Sequence, residues 1–468
     1  MRRFKVPNRD QLMLLPPSLH DLVRPDHPVR FVVRFVSAID KSAFYERYKD
    51  TTEGQPPFDP EMMIAIFLYA NMLGVYSSRK IERLIEDDLG FRFIVGDLRP
   101  DHNTISNFRL RHSNDMAGLF RESVRMALRA ELVTLNHIAI DGTKIAANAS
   151  ADKRKTAQAL EAEISELENQ PETYLNRAEE EDASETREYG DANPYLLPKD
   201  LQSNEALDTF IKTELNRDKD DDHNDNPGCG GSANTDKRET KASKKLRYKL
   251  EKLKKAKQLL DAKERARKAQ DPTGKRERDA QRKRGGKPHT PQINVTDPES
   301  RKMLMRGGSY ADGFNGQIAV DADFGIIVAA ELVQDENDLR QLSPLVKEVK
   351  RNTDFHPSNV SADTGYFNCE HMDEFPGVEF FIPPRKRGAK ESHLTRAEKM
   401  REKLDTEKGR SIYNVRKTLV EPVFGILKHA RKYKQALCRG KKMVNMEWQL
   451  LCTAHNILRM IKLSTSPA

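Results

Sequence analysis

Three acidic side chains stand out by what surrounds them. Asp141 closes the apolar run Ile138-Ala-Ile, Asp363 closes Asn359-Val-Ser-Ala, and Glu421 sits among Tyr413, Arg416, Lys417 and Lys428. A carboxylate at the end of a buried apolar run costs several kcal/mol if unpaired, or else stays protonated. The chain must therefore supply a partner, either a cationic side chain or a metal ion. Lys144 lies three residues beyond Asp141, where the two-residue period of a strand points it to the opposite face, and that favours a metal. Two Asp and one Glu offer only oxygen donors, the set preferred by hard cations such as Mg2+ or Mn2+. Glu421 alone would read as an ordinary salt-bridge partner of its basic neighbours; the two aspartates turn the set toward metal chemistry.

These carboxylates need elements to bring them together. Residues 135–149 read as a strand carrying Asp141, and 316–333 as two strands around a turn near Asp323-Phe-Gly. Asp338 to Val349 reads as an amphipathic helix, and Asn359 to Phe367 as a strand ending in Asp363, with Gly365 permitting a tight exit. Val378 to Pro384 is a short further strand closed by prolines. Helical sequence continues to Met443, and a last amphipathic helix covers Val444 to Ile461. A crossover helix between the hairpin and the Asp363 strand makes a mixed sheet the natural arrangement. If the Asp141 and Asp363 strands are parallel neighbours, both carboxylates reach one end of the sheet, and a helix beside it delivers Glu421. Pro422 suits a first turn, which places Glu421 at a helix start or a kink.

The remaining sequence points to a polyanionic partner. Of 468 residues 32% are charged and 37% hydrophobic, and the formal net charge of +8 favours nucleic acid or an anionic membrane surface. The nearly apolar run Met62 to Tyr76 is too short to span a bilayer and reads as a buried helix, so no membrane partner is expected. The start, Met-Arg-Arg-Phe-Lys-Val-Pro, has no apolar signal core, from which a cytoplasmic, nucleoid-associated protein is expected. Cys229, Cys369, Cys438 and Cys452 show no metal-ligand spacing and read as reduced thiols. Residues 1–130 read as a helical domain. Within it Pro100 to Arg109 looks like a turn leading into the second helix of a helix-turn-helix, exposing Asn103, Ser106, Asn107 and Arg109 to a DNA groove. A packed helix of a small bundle is the plainer alternative. Residues 151–290 form a charged insertion almost free of strand signal. Its two ends, Thr156 to Glu168 and Lys244 to Gln270, carry leucines at helical spacing that could pair as a hairpin. Its Asp/Asn-rich centre reads as disordered, without the calcium-loop pattern, and Lys275 to Lys287 as a basic arm or solvated linker.

Ile-Asp-Gly-Thr-Lys around Asp141, Ala-Asp-Thr-Gly-Tyr around Asp363, and the block from Tyr413 through Arg416 and Glu421 to Lys428 resemble the DDE transposases of bacterial insertion sequences. The resemblance covers most of the chain outside 151–290. It implies an α/β fold: a ribonuclease-H-like mixed sheet flanked by helices, formed by 131–150 with 291–468, behind an all-α N-terminal domain and a helical, partly disordered insertion. It also implies Mg2+-dependent phosphodiester hydrolysis and strand transfer, with two Mg2+ ions (Mn2+ substituting) held by Asp141, Asp363 and Glu421. The expected partners are terminal inverted repeats and target DNA, bound by a homodimer. Tyr413, Arg416 and Lys428 would hold DNA near the cut, with Lys417, Arg431 and Lys432 continuing along the backbone. The family's block more often leaves three residues between arginine and glutamate. Here there are four, and Lys417 takes the three-residue position. A metal-dependent nuclease without strand transfer, or an inert DNA-binding derivative, are the competing readings.

Overall fold

The computed structural model describes residues 18–48, 56–169, 241–271, 290–305, 307–384 and 391–465. Two compact units emerge, Met1–Lys153 with Thr296–Ala468, and Arg154–Val295. The expectations for the Asp/Asn-rich stretch, for the basic arm and for Cys229 lie outside the described residues.

In the first unit the helical region is built by local rules. The helix Pro28–Ala38 starts on the His27 ring, which accepts the Val29 N–H, and turns Val29, Val32, Phe35 and Val36 inward at helical spacing. The helix Pro60–Met72 starts with Asp59 capping the Glu61 N–H at 3.0 Å and Pro60 in the first turn. It is buried from Met62 to Met72 all round its circumference, so it is the central element and not an amphipathic surface one. Ser78–Asp87, His102–Arg111 and Ser113–Arg129 complete this region. The long helix Lys441–Thr465 packs on Ser113–Arg129, on Pro60–Met72 and on the sheet, joining the two layers. Each buried Leu, Ile, Val or Phe side chain here contributes about 1.5–3 kcal/mol. No helix among the described residues is long and apolar enough to cross a membrane.

The sheet of this unit contains β1 (His137–Ala146), β4 (Arg301–Leu304), β5 (Tyr310–Asp321), β6 (Ile327–Val333), β7 (Asn359–Ser361) and β8 (Glu379–Phe381). The central strand β5 pairs antiparallel with β1 along one edge, from Ile138↔Asp321 to Ala146↔Gly313. Its other edge pairs with β4 and then with β6. On the far side of β1, strands β7 and β8 run parallel to it. The hairpin β5–β6 turns through Gly325, whose φ of 70° suits a residue without Cβ. Strands β5 and β6 are buried on both faces over most of their length, with Trp448 donating its indole N–H to the Gln317 carbonyl at 3.2 Å.

The second unit holds the paired strands β2 (Arg154–Thr156) and β3 (Gln292–Asn294), a short ladder in a region with little strand signal. The helices Ala157–Asn169 and Lys241–Gln270 pack around Leu160, Leu167, Leu253, Ala256 and Leu260, in line with the leucine spacing. Lys249–Glu163 and Lys257–Glu161 ion pairs at 3.2 and 2.8 Å line their polar rim.

Candidate active site

Strand register brings the two aspartates together. Ala139 pairs with Ser361 in the parallel β1–β7 ladder, so two residues further along each chain Asp141 and Asp363 emerge side by side. Asp141 is still within β1, flanked by β5. Asp363 has left β7 and caps a short 3-10 turn, accepting the Gly365 N–H at 2.8 Å.

Asp141 is largely buried and accepts the Gly142 N–H at 2.8 Å. Its partner is a side chain: Arg416, from the helix Glu407–Gly425, donates to it at 2.9 Å. Burial is the main reason the Asp141 carboxyl is pushed up to about 6; Asp363 and Asp338 push the same way, against the Gly142 N–H and Arg416. Arg416 is itself buried and lies 5.7 Å from the centre of the Tyr413 ring.

On the other face of β1, Gly142 and Lys144 pair with Gln317 and Asn315. The amides of those two residues both donate to Asp338, each at 2.7 Å. Gly142 is required there, because a Cβ would stand 2.5 Å from Gln317 Nε2 and 2.9 Å from Asp338 Oδ1. Tyr366, wholly buried, donates its hydroxyl to Gln317 and is pushed well above the ordinary phenol range by burial and by the three carboxylates. Among the described residues the buried Lys144 ammonium has no hydrogen-bond partner; burial lowers its pKa, against Asp338, Glu336, Asp363 and Asp335. Alternation does place Lys144 on the face opposite Asp141, yet Asp338 and Asp363 act on it there.

Glu421 is exposed on Glu407–Gly425 and is not among the charges that act most on Asp141. It lies inside the helix, followed directly by Pro422, and a π-helical turn, Ile426–Ala430, comes after the helix. Among the described residues no three His, Cys, Asp or Glu side chains converge closely enough to hold a metal ion. The donors themselves fit a hard cation. Asp141, Asp363 and Asp338 offer only oxygens, and the charges of Asp363 and Asp338 raise the cost of ionising Asp141, which a divalent charge would relieve.

The expected DNA contacts divide. Asn103 and Lys417 are exposed, Ser106 and Tyr413 half-buried, and Lys432 exposed at a φ of 59°. Lys428 is half-buried and donates to the Lys144 carbonyl at 2.6 Å. Two expectations need correction. Arg109 is buried, bonded to the Tyr76 carbonyl at 3.2 Å, 3.7 Å from Glu447 and stacked over Phe67, because it lies one helical turn beyond Ile105 on the core-facing side. Arg431 is also buried and donates to the Leu451 and Ala454 carbonyls at 3.1 and 3.4 Å. Both arginines fasten helices together instead of facing solvent.

Asp338 joins the site without a local signal for it. The apolar spacing puts it at the start of a helix, whereas the helix observed is Leu342–Thr353. The one available clue is Pro344, which is tolerated only in a first turn and so leaves Asp338 in the preceding loop.

Comparison with family models matches residues 17–111 to a transposase domain and residues 279–457 to a transposase DDE domain. Neither the curated proteins nor the solved structures return a match.

Proposed function

Because the chain belongs to the DDE transposases of insertion sequences, we propose that it cleaves DNA at the ends of its own element and joins the freed ends to a target. The observation that carries this reading is the side-by-side emergence of Asp141 and Asp363 from adjacent parallel strands, next to a buried arginine. The strand order, with three antiparallel strands followed by two parallel ones beside β1, supports a ribonuclease-H-like core.

Asp141 and Asp363 would hold Mg2+ or Mn2+, with Glu421 of the helix Glu407–Gly425 as the third ligand. Such ions would supply neutralisation of phosphate charge and activation of the attacking oxygen. The chain's own residues do the rest. Asp363 is fixed by the Gly365 N–H, and Arg416 balances Asp141 and offers a two-pronged donor to a phosphate. Tyr413 presents a ring for stacking, and Lys417, Lys428 and Lys432 supply point charges for the backbone. Asn103 and Ser106 are the candidates for groove contact from the N-terminal region, which with the neighbouring helices forms a DNA-binding and dimerisation domain. Joining two ends calls for a homodimer on DNA, and DNA as a partner places the protein at the nucleoid.

The test is incubation of the full chain with DNA carrying its element's ends, with and without Mn2+. Asp141→Asn and Asp363→Asn are expected to abolish cleavage while leaving retardation of the end DNA intact. Cleavage that survives either change removes that residue from the centre, and cleavage without joined product reduces the activity to that of a nuclease.

A further inference from the structure

The helix His102–Arg111 divides its circumference in two. Ile105, Phe108 and Arg109 are buried. Asn103, Asn107 and Leu110 lie on the arc opposite, within about 60° of one another at 100° per residue. All three are exposed, Leu110 by 58%. Ser106 stands at one border of this strip, and Thr104 and Arg111 at the other.

The start of the helix is fixed from two sides. The helix Leu89–Val95 and the turn 96–101 lead into it, and Asp101 accepts the Thr104 N–H at 2.7 Å. Glu82, on the helix Ser78–Asp87, accepts the His102 N–H at 3.2 Å and meets the His102 ring at 2.9 Å. The exposed strip is thus presented by a rigid element.

Its chemistry is that of base edges. It carries two side-chain amides and an isobutyl group but no charge, in a chain of which 32% is charged. Exposed cations flank it: Arg99 before the helix, 3.6 Å from Glu86, and Arg111 at its end, 5.9 Å from the centre of the Tyr48 ring. Where a helix enters a duplex, cations take the phosphates and neutral groups read the bases. A side-chain amide offers donor and acceptor side by side, matching N7 and N6 of adenine, and an apolar group packs on the thymine methyl. The Asn107 amide makes no hydrogen bond to another described residue, whereas that of Asn103 also serves the Asp101 carboxylate. Side chains three positions apart on a helix stand about 5–6 Å from each other, the reach of two successive base pairs.

Resting on the reading of the N-terminal region as a DNA-binding domain, we propose that Asn107 and Leu110 determine which sequence it holds. The Asn107 amide hydrogen-bonds to an adenine edge in the major groove, and Leu110 packs on a neighbouring thymine methyl. Arg99 and Arg111 set the register on the phosphates at either side.

The experiment measures binding of the full-length protein, in chelator, by fluorescence anisotropy. The probes are duplexes carrying the element's end, the same duplexes with each A·T pair exchanged in turn for G·C, and unrelated DNA. Asn107→Ala is expected to weaken binding of the end by roughly five- to 150-fold, the worth of one bidentate base contact. It should leave unrelated DNA and the salt dependence unchanged, and become indifferent to exchange at one A·T pair that the unaltered protein requires. Leu110→Ala should lose its preference at the adjacent pair. Arg111→Ala, by contrast, should weaken both DNAs alike and lower the slope of log affinity against log salt by about 0.9. Both strip positions are exposed, so melting of their variants should match the unaltered protein. Equal loss on end and unrelated DNA from Asn107→Ala, a salt slope altered by it, or an unaltered preference at every pair overturns the proposal and leaves the domain a sequence-independent binder. If the unaltered protein itself does not distinguish its end from unrelated DNA, the DNA-binding reading of the N-terminal region fails first, and the proposal with it.

Discussion

Asp141→Asn is expected to stabilise the metal-free protein at neutral pH. The carboxyl titrates at about 6 in the folded chain against an ordinary value of 3.8. The folded state therefore keeps a proton that the unfolded state releases across that window, and stability falls as pH rises through it. Roughly two units at 1.36 kcal/mol each amount to about 3 kcal/mol, present as a penalty at all higher pH. Asn keeps the shape but has a single oxygen for bonds that Asp141 accepts on two, from Gly142 on Oδ1 and from Arg416 on Oδ2, so the variant escapes only part of this penalty. Urea denaturation in chelator, followed by tryptophan fluorescence, reads the effect where it arises. Trp448 is the single tryptophan of the chain, fully buried and bonded to β5. With a slope of about 3 kcal/mol per molar, the midpoint of the variant should lie about 0.5–1 M higher at pH 7.5 and coincide with the unaltered protein near pH 4. Comparing the two proteins at each pH cancels Asp297, Asp321 and Glu331, whose pKa values burial also raises. A variant less stable at pH 7.5, with the same pH profile, would refute the idea that Asp141 is held against its own ionisation.

Two further outcomes rest on the placement of the cations. Arg109→Ala and Arg431→Ala strip buried donors from Tyr76, Leu451 and Ala454. Arg109→Ala, which breaks the buried pair with Glu447, should cost on the order of 3–5 kcal/mol, and Arg431→Ala about 1–3 kcal/mol for each carbonyl left unpaired; normal melting with impaired DNA binding would return them to the interface. Lys417→Ala and Lys432→Ala remove exposed charges, so melting should stay within about 0.5 kcal/mol. The slope of log affinity against log salt should fall by about 0.9 for each phosphate that the variant no longer neutralises. An unchanged slope excludes that lysine from the DNA backbone.

The strands carrying Asp141 and Asp363 and the hairpin between them were legible because an aspartate interrupting a short apolar run is conspicuous, whereas the edge strand Arg301–Leu304 gave no such signal. What the sequence hid was which way cationic residues face. Arg109 sits in a stretch that looks polar, yet helical spacing from Ile105 turns it inward. The run from Lys428 to Lys434 looks like a uniform basic track, but burial alternates along it: Arg431 and Tyr433 inside, Lys432 and Lys434 outside. Charge run and solvated face are different things when an arginine can reach backbone carbonyls at a helix crossing. Asp338 was hidden for another reason, since the amides that hold it lie some twenty residues earlier on β5 and carry no local signal.

The four residues between Arg416 and Glu421 have a geometric consequence. At 100° per residue, positions five apart on a helix point about 140° away from each other, and positions four apart only about 40°. Arg416 faces inward onto Asp141, so Glu421 falls on the outer side, beside Lys417, where both are exposed. The family's commoner spacing would put arginine and glutamate on one face together. Here Lys417 shares the face of Glu421, and Arg416 shares the face of the sheet. In the role proposed for Glu421, bringing it toward Asp141 and Asp363 would turn Arg416 away from Asp141, because one rigid helix cannot direct both inward. Pro422, which withholds a helix N–H directly after Glu421, and the π-helical turn Ile426–Ala430 lie where such a change of phase can be absorbed. In the arrangement seen here the guanidinium of Arg416 balances the charge of Asp141, and Glu421 stands on the outer side of the same helix.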